Sequence, residues 1–263
     1  MNSLQKMLDF SGKTVLVTGG GKGAGVEISR CFARAGANVA VTYSRSAENA
    51  QRVAQELTQL GVRAEAFALD QSDCAAIAPL LDTVRERFGS IDVLVNNAGI
   101  YPAKDSMQLT PDDWDAMMDC NSRGVFFLCR EAAKRMQNGG TIINISSINA
   151  TNPSDTLTHY GVSKAAVEMI TKCLAHRLGS FGIRVNAVAP GLIWAEGQEV
   201  NIPGWRESYC ERAPLGRLVE AEDIGNACVF LASPLASAVT GQILTVDCGV
   251  LLAPCFQNDG GGN

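Results

Sequence analysis

Nowhere in the 263 residues does an apolar run approach the ~18 residues that a membrane-spanning helix requires. The opening Met1-Asn2-Ser3-Leu4-Gln5-Lys6-Met7 lacks the layout of a secretory leader. The nine cysteines never form a CxxC pair, their number is odd, and no spacing fits zinc. They read as small apolar core residues in a reducing compartment rather than a disulfide framework. No concentrated basic stretch is present: 22 Lys and Arg are interspersed with 27 Asp and Glu, for a formal charge of -5. That argues against a nucleic-acid partner, which needs a basic face for phosphates. No composition shift marks a domain boundary, and no repeat appears. These absences leave a soluble, cytoplasmic chain of a length that a single α/β domain can reach.

What is present is alternation. Buried-strand patterns at Lys13–Thr18, Ala37–Tyr43, Arg63–Leu69, Ile91–Val95, Gly140–Ser146, Ile183–Val188 and Gln242–Val246 are separated by helix-period segments. Helices are expected through Ile28, Phe32 and Ala35, then over about Ala47–Leu60, Asp73–Phe88, Trp114–Met136 with a break near Asn121, Thr158–Leu178 and Ala221–Leu231. Such alternation requires crossover connections. It predicts an α/β fold of Rossmann type, a doubly wound seven-stranded parallel sheet with helices on both faces, in one domain over 1–263. Residues 192–213 break the pattern with two Trp, a Pro and mixed charge, and the glycine-rich end, about 257–263, reads as disordered.

The turn Thr18-Gly19-Gly20-Gly21-Lys22-Gly23-Ala24-Gly25 lies between the first strand and the first long helix. Glycines there let the backbone turn sharply and approach a pyrophosphate, which the helix N-terminus can hold. Gly19, Gly21, Gly23 and Ala24 are the candidate dinucleotide-binding residues of this turn. After the second strand comes Ser44-Arg45-Ser46, with no acid before Glu48 to bind a ribose 2′-hydroxyl. Ser44 and Arg45, with Lys22 on the same side, instead suit a 2′-phosphate. The expected cofactor is therefore NADP(H) in preference to NAD(H).

Tyr160-Gly161-Val162-Ser163-Lys164 places a phenol and an ammonium on one helical face. A neighbouring cation favours the phenolate and brings a tyrosine toward use as an acid or base near neutrality. The spacing is weak evidence alone. Together with Thr18-Gly19-xxx-Gly23-x-Gly25, Asn96-Asn97-Ala98-Gly99, Asn121, Ser147 and Pro190-Gly191, it resembles the classical short-chain dehydrogenase/reductases over roughly residues 11–250. Pro214-Leu215-Gly216-Arg217, Glu222-Asp223-Ile224, Phe230-Leu231-Ala232-Ser233 and Thr240-Gly241 extend the likeness. It is nearest the branch of 3-oxoacyl carrier-protein reductases and polyol, sugar and steroid dehydrogenases.

The resemblance implies hydride exchange between nicotinamide and a carbonyl or secondary alcohol on a small molecule. Tyr160 would move the proton. Lys164 would lower its pKa and hold the nicotinamide ribose. Ser147, thirteen residues before Tyr160, would bond the substrate oxygen. Asn121 would hold a water behind Lys164. Asp70, Gln71, Asn97, Ala98, Gly99, Pro190, Gly191 and Ile193 would line the cofactor. The 192–213 segment would form a substrate lid, with Trp194, Trp205 and the more distant Tyr101 as substrate-side candidates. A homotetramer or homodimer is implied, packed through the helices around 114–136 and 158–178.

Three departures stand out. Ala195 replaces the usual Thr at the nicotinamide carboxamide, Asp247-Cys248-Gly249 replaces Asp-Gly-Gly, and Ala221 stands where Pro often opens a helix. His159 and His176 read as structural or surface residues. A 3-oxoacyl-thioester reductase remains an alternative, although Glu196, Glu199, Glu207 and Glu211 in the lid favour a free small molecule over a carrier protein. A non-catalytic NADP sensor is the other-class alternative, disfavoured by retention of both Tyr160 and Lys164. An epimerase or dehydratase would want a larger C-terminal substrate domain.

Overall fold

The computed structural model describes residues 3–136, 139–193 and 204–252. A short helix α1 (Ser3–Met7) precedes β1 (Thr14–Val17), α2 (Ala24–Arg34), β2 (Asn38–Tyr43), α3 (Ala47–Thr58), β3 (Ala64–Ala68), α4 (Cys74–Phe88) and β4 (Val93–Asn96). Then follow α5 (Pro111–Met118), α6 (Val125–Ala133), β5 (Gly140–Ile145), α7 (Thr158–Leu178), β6 (Ile183–Pro190), α8 (Trp205–Arg212), α9 (Ala221–Ala232) and β7 (Ile243–Val246). The seven strands form one parallel sheet, as the alternation predicts, and their order is β3-β2-β1-β4-β5-β6-β7.

Alternate strand residues feed opposite faces. Val15, Val17, Val93, Val95, Ile143 and Ile145 pack with Ile28 and Phe32 of α2, Leu57 of α3 and Ile224 and Leu231 of α9. Leu16, Leu94 and Ile142 pack with Leu81 of α4, Leu128 of α6 and Val167 and Leu174 of α7. Both faces are covered, which is why the strands read as unbroken apolar runs. A buried polar chain pins the centre. Asn96 Nδ2 donates to Asn144 Oδ1 at 2.8 Å, and Asn144 Nδ2 donates to Thr171 Oγ1 at 2.9 Å. This fixes α7 against β4 and β5, so the groups at their ends are held in register.

The predicted long helix from Trp114 is three pieces. α5 starts earlier, at Pro111, behind a Thr110–Asp113 capping box. A π-helical turn over Asp119–Gly124 then joins α5 to α6. The expected break near Asn121 is this turn, a feature often found at functional sites. Among the eight described cysteines, Cys31, Cys129, Cys228 and Cys248 are buried as expected, but Cys173 is exposed on α7 and Cys74, Cys120 and Cys210 are half-buried. No helix among the described residues is long and apolar enough to cross a membrane. Trp194, Ala195 and the rest of lid residues 194–203, together with the glycine-rich end, lie outside the described residues.

Candidate active site

In an open parallel sheet, ligands bind outside the carboxyl ends of the strands. The residues singled out from the sequence gather along that edge: Thr18–Gly25 after β1, Ser44 and Arg45 after β2, Asp70 and Gln71 after β3, Asn97–Gly99 after β4, Ser147 after β5 and Pro190–Ile193 at the end of β6.

The glycine turn is built by close approach. Gly19 has φ +64°, and a Cβ there would stand 3.0 Å from Ala98 Cα. A Cβ on Gly25 would stand 2.4 Å from the Gly19 carbonyl oxygen and 2.6 Å from Asn97 Nδ2. At Gly21 an added Cβ would instead stand 3.0 Å from the Cα of Ala50 on α3. Gly23, the N-cap of α2, has φ +56° and makes no side-chain cap bond, and a Cβ there would meet nothing within 4 Å. Free N–H groups at a helix start beside open space fit a pyrophosphate.

Thr18 holds the turn to the β4 loop: its Oγ1 accepts from the N–H groups of Asn97 and Ala98, both at 3.0 Å. Asn97 Nδ2 donates to the Thr18 carbonyl at 2.9 Å. The Gly19 N–H donates to Thr42 Oγ1 at 3.2 Å. Thr42 was not singled out from the sequence, because a hydroxyl in a strand carries no sign of its partner.

Lys22, Ser44, Arg45 and Asp70 are exposed around this end. Ser72 hydrogen bonds hold the Asp70 carboxyl below its ordinary value, and Arg45 nearby lowers it further. Gln71 is buried. Its Nε2 donates to the carbonyls of Ala98 at 3.0 Å and Cys120 at 2.8 Å. The structure thus shows Gln71 joining the β4 loop to the π turn.

At the other end, α7 brings Tyr160 and Lys164 to Ser147. Ser147 caps a short 3₁₀ turn, Ile148–Ala150, accepting the Asn149 N–H at 3.1 Å and donating to Asn149 Oδ1 at 3.4 Å. The second contact is long, so the Ser147 proton is easily redirected. Ser146 differs: its hydroxyl donates to Glu168 at 3.0 Å, a bond to the body of α7. Gly161 lets α7 lie this close, since a Cβ there would stand 2.8 Å from the Asn149 carbonyl oxygen.

Lys164 is buried, donates to the Ile145 carbonyl at 2.7 Å, and stands 5.6 Å from the Tyr160 ring centre. Burial lowers its pKa to about 8. Tyr160 departs from expectation. Burial pushes its phenol above the ordinary value, the Ser147 hydrogen bond pulls the other way, and Tyr101 adds a further upward push. Lys164 stands over the ring and is itself desolvated, so the expected lowering is not what dominates here.

Asn121, fully buried in the π turn, donates through Nδ2 to the Ile100 carbonyl at 2.7 Å and to Ser163 Oγ at 3.2 Å. Its Oδ1 accepts the Ile100 N–H at 2.8 Å. Tyr101 lies edge-on to Tyr160, ring centres 6.3 Å apart. Trp205 opens α8, four residues before Tyr209. His159 is buried beside Tyr160, and His176 is exposed.

Comparison with known proteins agrees with this geometry. A family model described as enoyl-(acyl carrier protein) reductase matches residues 19–251. The chain is 37% identical over 254 residues to 3beta-hydroxysteroid dehydrogenase 1 of Eggerthella lenta, covering 95% of this chain and 97% of that one. It is 37% identical over 242 residues to the 3-oxoacyl-(acyl-carrier-protein) reductase FabG of Staphylococcus aureus, covering 91% and 98%. Among solved structures, a short-chain dehydrogenase from Burkholderia cenocepacia in complex with NADP superposes with TM-score 0.87 at 37% identity, covering 92% and 99%. A 7α-hydroxysteroid dehydrogenase complexed with NADH and 7-oxo glycochenodeoxycholic acid superposes with TM-score 0.90 at 36% identity, covering 95% and 98%. With the sheet order, the glycine turn and the Ser147–Tyr160–Lys164 cluster, these matches place the chain in the short-chain dehydrogenase/reductase family.

Proposed function

We propose that the protein interconverts a carbonyl and a secondary alcohol on a small molecule, using NADP(H), with Tyr160 as its acid and base. The observation that carries this reading is the convergence of the Tyr160 phenol, the Ser147 hydroxyl and the Lys164 ammonium at the carboxyl edge of the sheet. When bound, the nicotinamide would supply or take up the hydride. Ser147 directs its single proton to the substrate oxygen and fixes its position. Tyr160 gives its Oη proton to that oxygen as it becomes an alkoxide, and recovers a proton in the reverse direction. Lys164 supplies positive charge beneath the ring and steadies the nicotinamide ribose. Asn121 ties the π turn to Ile100 and to α7, and would seat a water behind Lys164.

Gly19, Gly23, Ala24, Asn97, Ala98 and Gly99, with Asp70, Pro190, Gly191 and Ile193, would line the dinucleotide. Gly21 and Gln71 support those positions by packing and hydrogen bonding. Lys22, Ser44 and Arg45 would hold a 2′-phosphate. The relative solved with NADP fits that preference, while the one solved with NADH shows that the family accommodates both. Tyr101 would face the substrate, and Trp205 would lie on its lid side.

The named relatives act on steroid and acyl-thioester carbonyl chemistry, which keeps a 3-oxoacyl thioester as the second substrate reading. The protein would act in the cytoplasm as a homotetramer or homodimer. Trp114 of α5, Phe126 of α6 and Val162 and Met169 of α7 are exposed apolar residues on the helices expected to pack between copies. The test of the reaction is a screen of carbonyl compounds with NADPH or NADH, and of alcohols with the oxidised cofactors, following nicotinamide absorbance. Cofactor turnover with a carbonyl or alcohol substrate is expected; binding with no turnover across steroid, sugar and 3-oxoacyl substrates would favour a sensor.

A further inference from the structure

Ser147 follows β5, where α7 brings Tyr160 and Lys164 to it, and β6 lies beside β5, with Ile145 paired to Val188. A nicotinamide exchanging hydride with a substrate held by Tyr160 and Ser147 would therefore lie beside the turn that follows β6, Gly191–Ile193. That turn is held from three directions. The Gly191 N–H donates to the Val246 carbonyl at 2.9 Å, and Leu192 and Ile193 pair with Val219. The third holder is a side chain: Tyr209 of α8 reaches back so that its hydroxyl accepts the Leu192 N–H at 3.0 Å.

The fit is close. A Cβ on Gly191 would stand 2.5 Å from the Tyr209 hydroxyl and 2.9 Å from Asp247 Cα. No residue of α8 is fully buried, and the half-buried Tyr209 ring packs against the apolar core. The side chain that gives α8 this grip on the sheet is thus also bonded to the wall of the reaction site.

We infer that Tyr209 is a positioning residue for the nicotinamide half of the cofactor, fixing the Gly191–Ile193 turn through its hydroxyl. The inference rests on the hydride-transfer reading above. The adenosine half would lie at the β1–β2 side of the sheet and would not feel the change. Phenylalanine at 209 keeps the ring packing and removes the bond to the Leu192 N–H.

The test compares wild type with Tyr209→Phe by titration calorimetry, using NADPH and its adenosine fragment 2′,5′-ADP, and NADH beside ADP. Loss of one hydrogen bond to an ordered turn should weaken the dinucleotide by about fivefold. The adenosine fragment should bind unchanged, which also shows that the variant is folded. Equal dinucleotide affinity in variant and wild type overturns the inference. So does an equal loss for dinucleotide and fragment, the mark of a general structural role. If wild type binds neither dinucleotide, the cofactor reading falls and the inference falls with it.

Discussion

The ammonium of Lys164 lies 5.6 Å from the centre of the Tyr160 ring and donates to the Ile145 carbonyl at 2.7 Å. It is held where a cation is expensive, deep against β5, and burial lowers its pKa from 10.5 to about 8. Such a shift corresponds to roughly 3 kcal/mol of unfavourable burial at neutral pH.

Removing that charge should trade function for stability. Lys164→Met is expected to raise the melting temperature by a few degrees at about pH 7 while abolishing most turnover. The sign against pH follows from the lowered folded pKa. Between about pH 8 and 10.5 the unfolded chain holds a proton that the folded chain has lost, so this site destabilises fully below the window and progressively less through it. The melting advantage of the variant should therefore shrink from about pH 7 to about pH 10. Thermal denaturation of both proteins across that range checks it; an advantage that grows with pH contradicts it.

Arg45 should set cofactor choice. Arg45→Ala is expected to lower the NADPH-to-NADH ratio of kcat/KM by about tenfold or more, the worth of a charge-assisted phosphate contact. Steady-state kinetics with both cofactors measures this directly. An unchanged ratio would remove Arg45 from the 2′-phosphate site.

Gly25→Ala should damage the glycine turn, since its Cβ would stand 2.4 Å from the Gly19 carbonyl oxygen and 2.6 Å from Asn97 Nδ2. The backbone must move to accept it, at about 1–3 kcal/mol. Chemical denaturation should show the loss of stability, and dinucleotide affinity should fall with it.

Cys248 is the one described non-glycine residue with positive φ, at 57°. The family pattern has glycine there. Once the thiol is removed, the usual stability order should reverse. Cys248→Gly should be more stable than Cys248→Ala by about 1 kcal/mol, because alanine keeps the left-handed strain. Denaturant midpoints of the two variants decide it.

Self-association should depend on the apolar face of α6 and α7. Phe126→Asp with Met169→Glu is expected to shift the assembly toward monomer in sedimentation velocity. An unchanged oligomer would place the interface elsewhere.

Much of this was legible in the sequence, for definite reasons. Val15-Leu16-Val17 and Ile142-Ile143 read as strands because both sheet faces are covered, leaving no polar side to alternate. The family resemblance separates Ser147 from Ser146 by its distance from Tyr160, and in the structure the Ser146 hydroxyl bonds to Glu168. Helix α8 was not legible. It buries no residue completely, so no apolar period marks it, and the Tyr209–Leu192 bond is long-range. The π turn was visible only as a break at Asn121, since one extra residue in a helical turn leaves composition unchanged. The direction of the Tyr160 pKa depends on burial and on Tyr101, neither of which the Tyr160-to-Lys164 spacing contains.

The most direct test of the proposed chemistry is Tyr160→Phe, measured for both dinucleotide affinity and turnover on whichever substrate the cofactor screen identifies. Removing the phenolic proton while keeping the ring should leave cofactor affinity unchanged and lower kcat by roughly 10²–10⁴-fold. Turnover near the wild-type rate in this variant would contradict the assignment of Tyr160 as the proton-transferring residue.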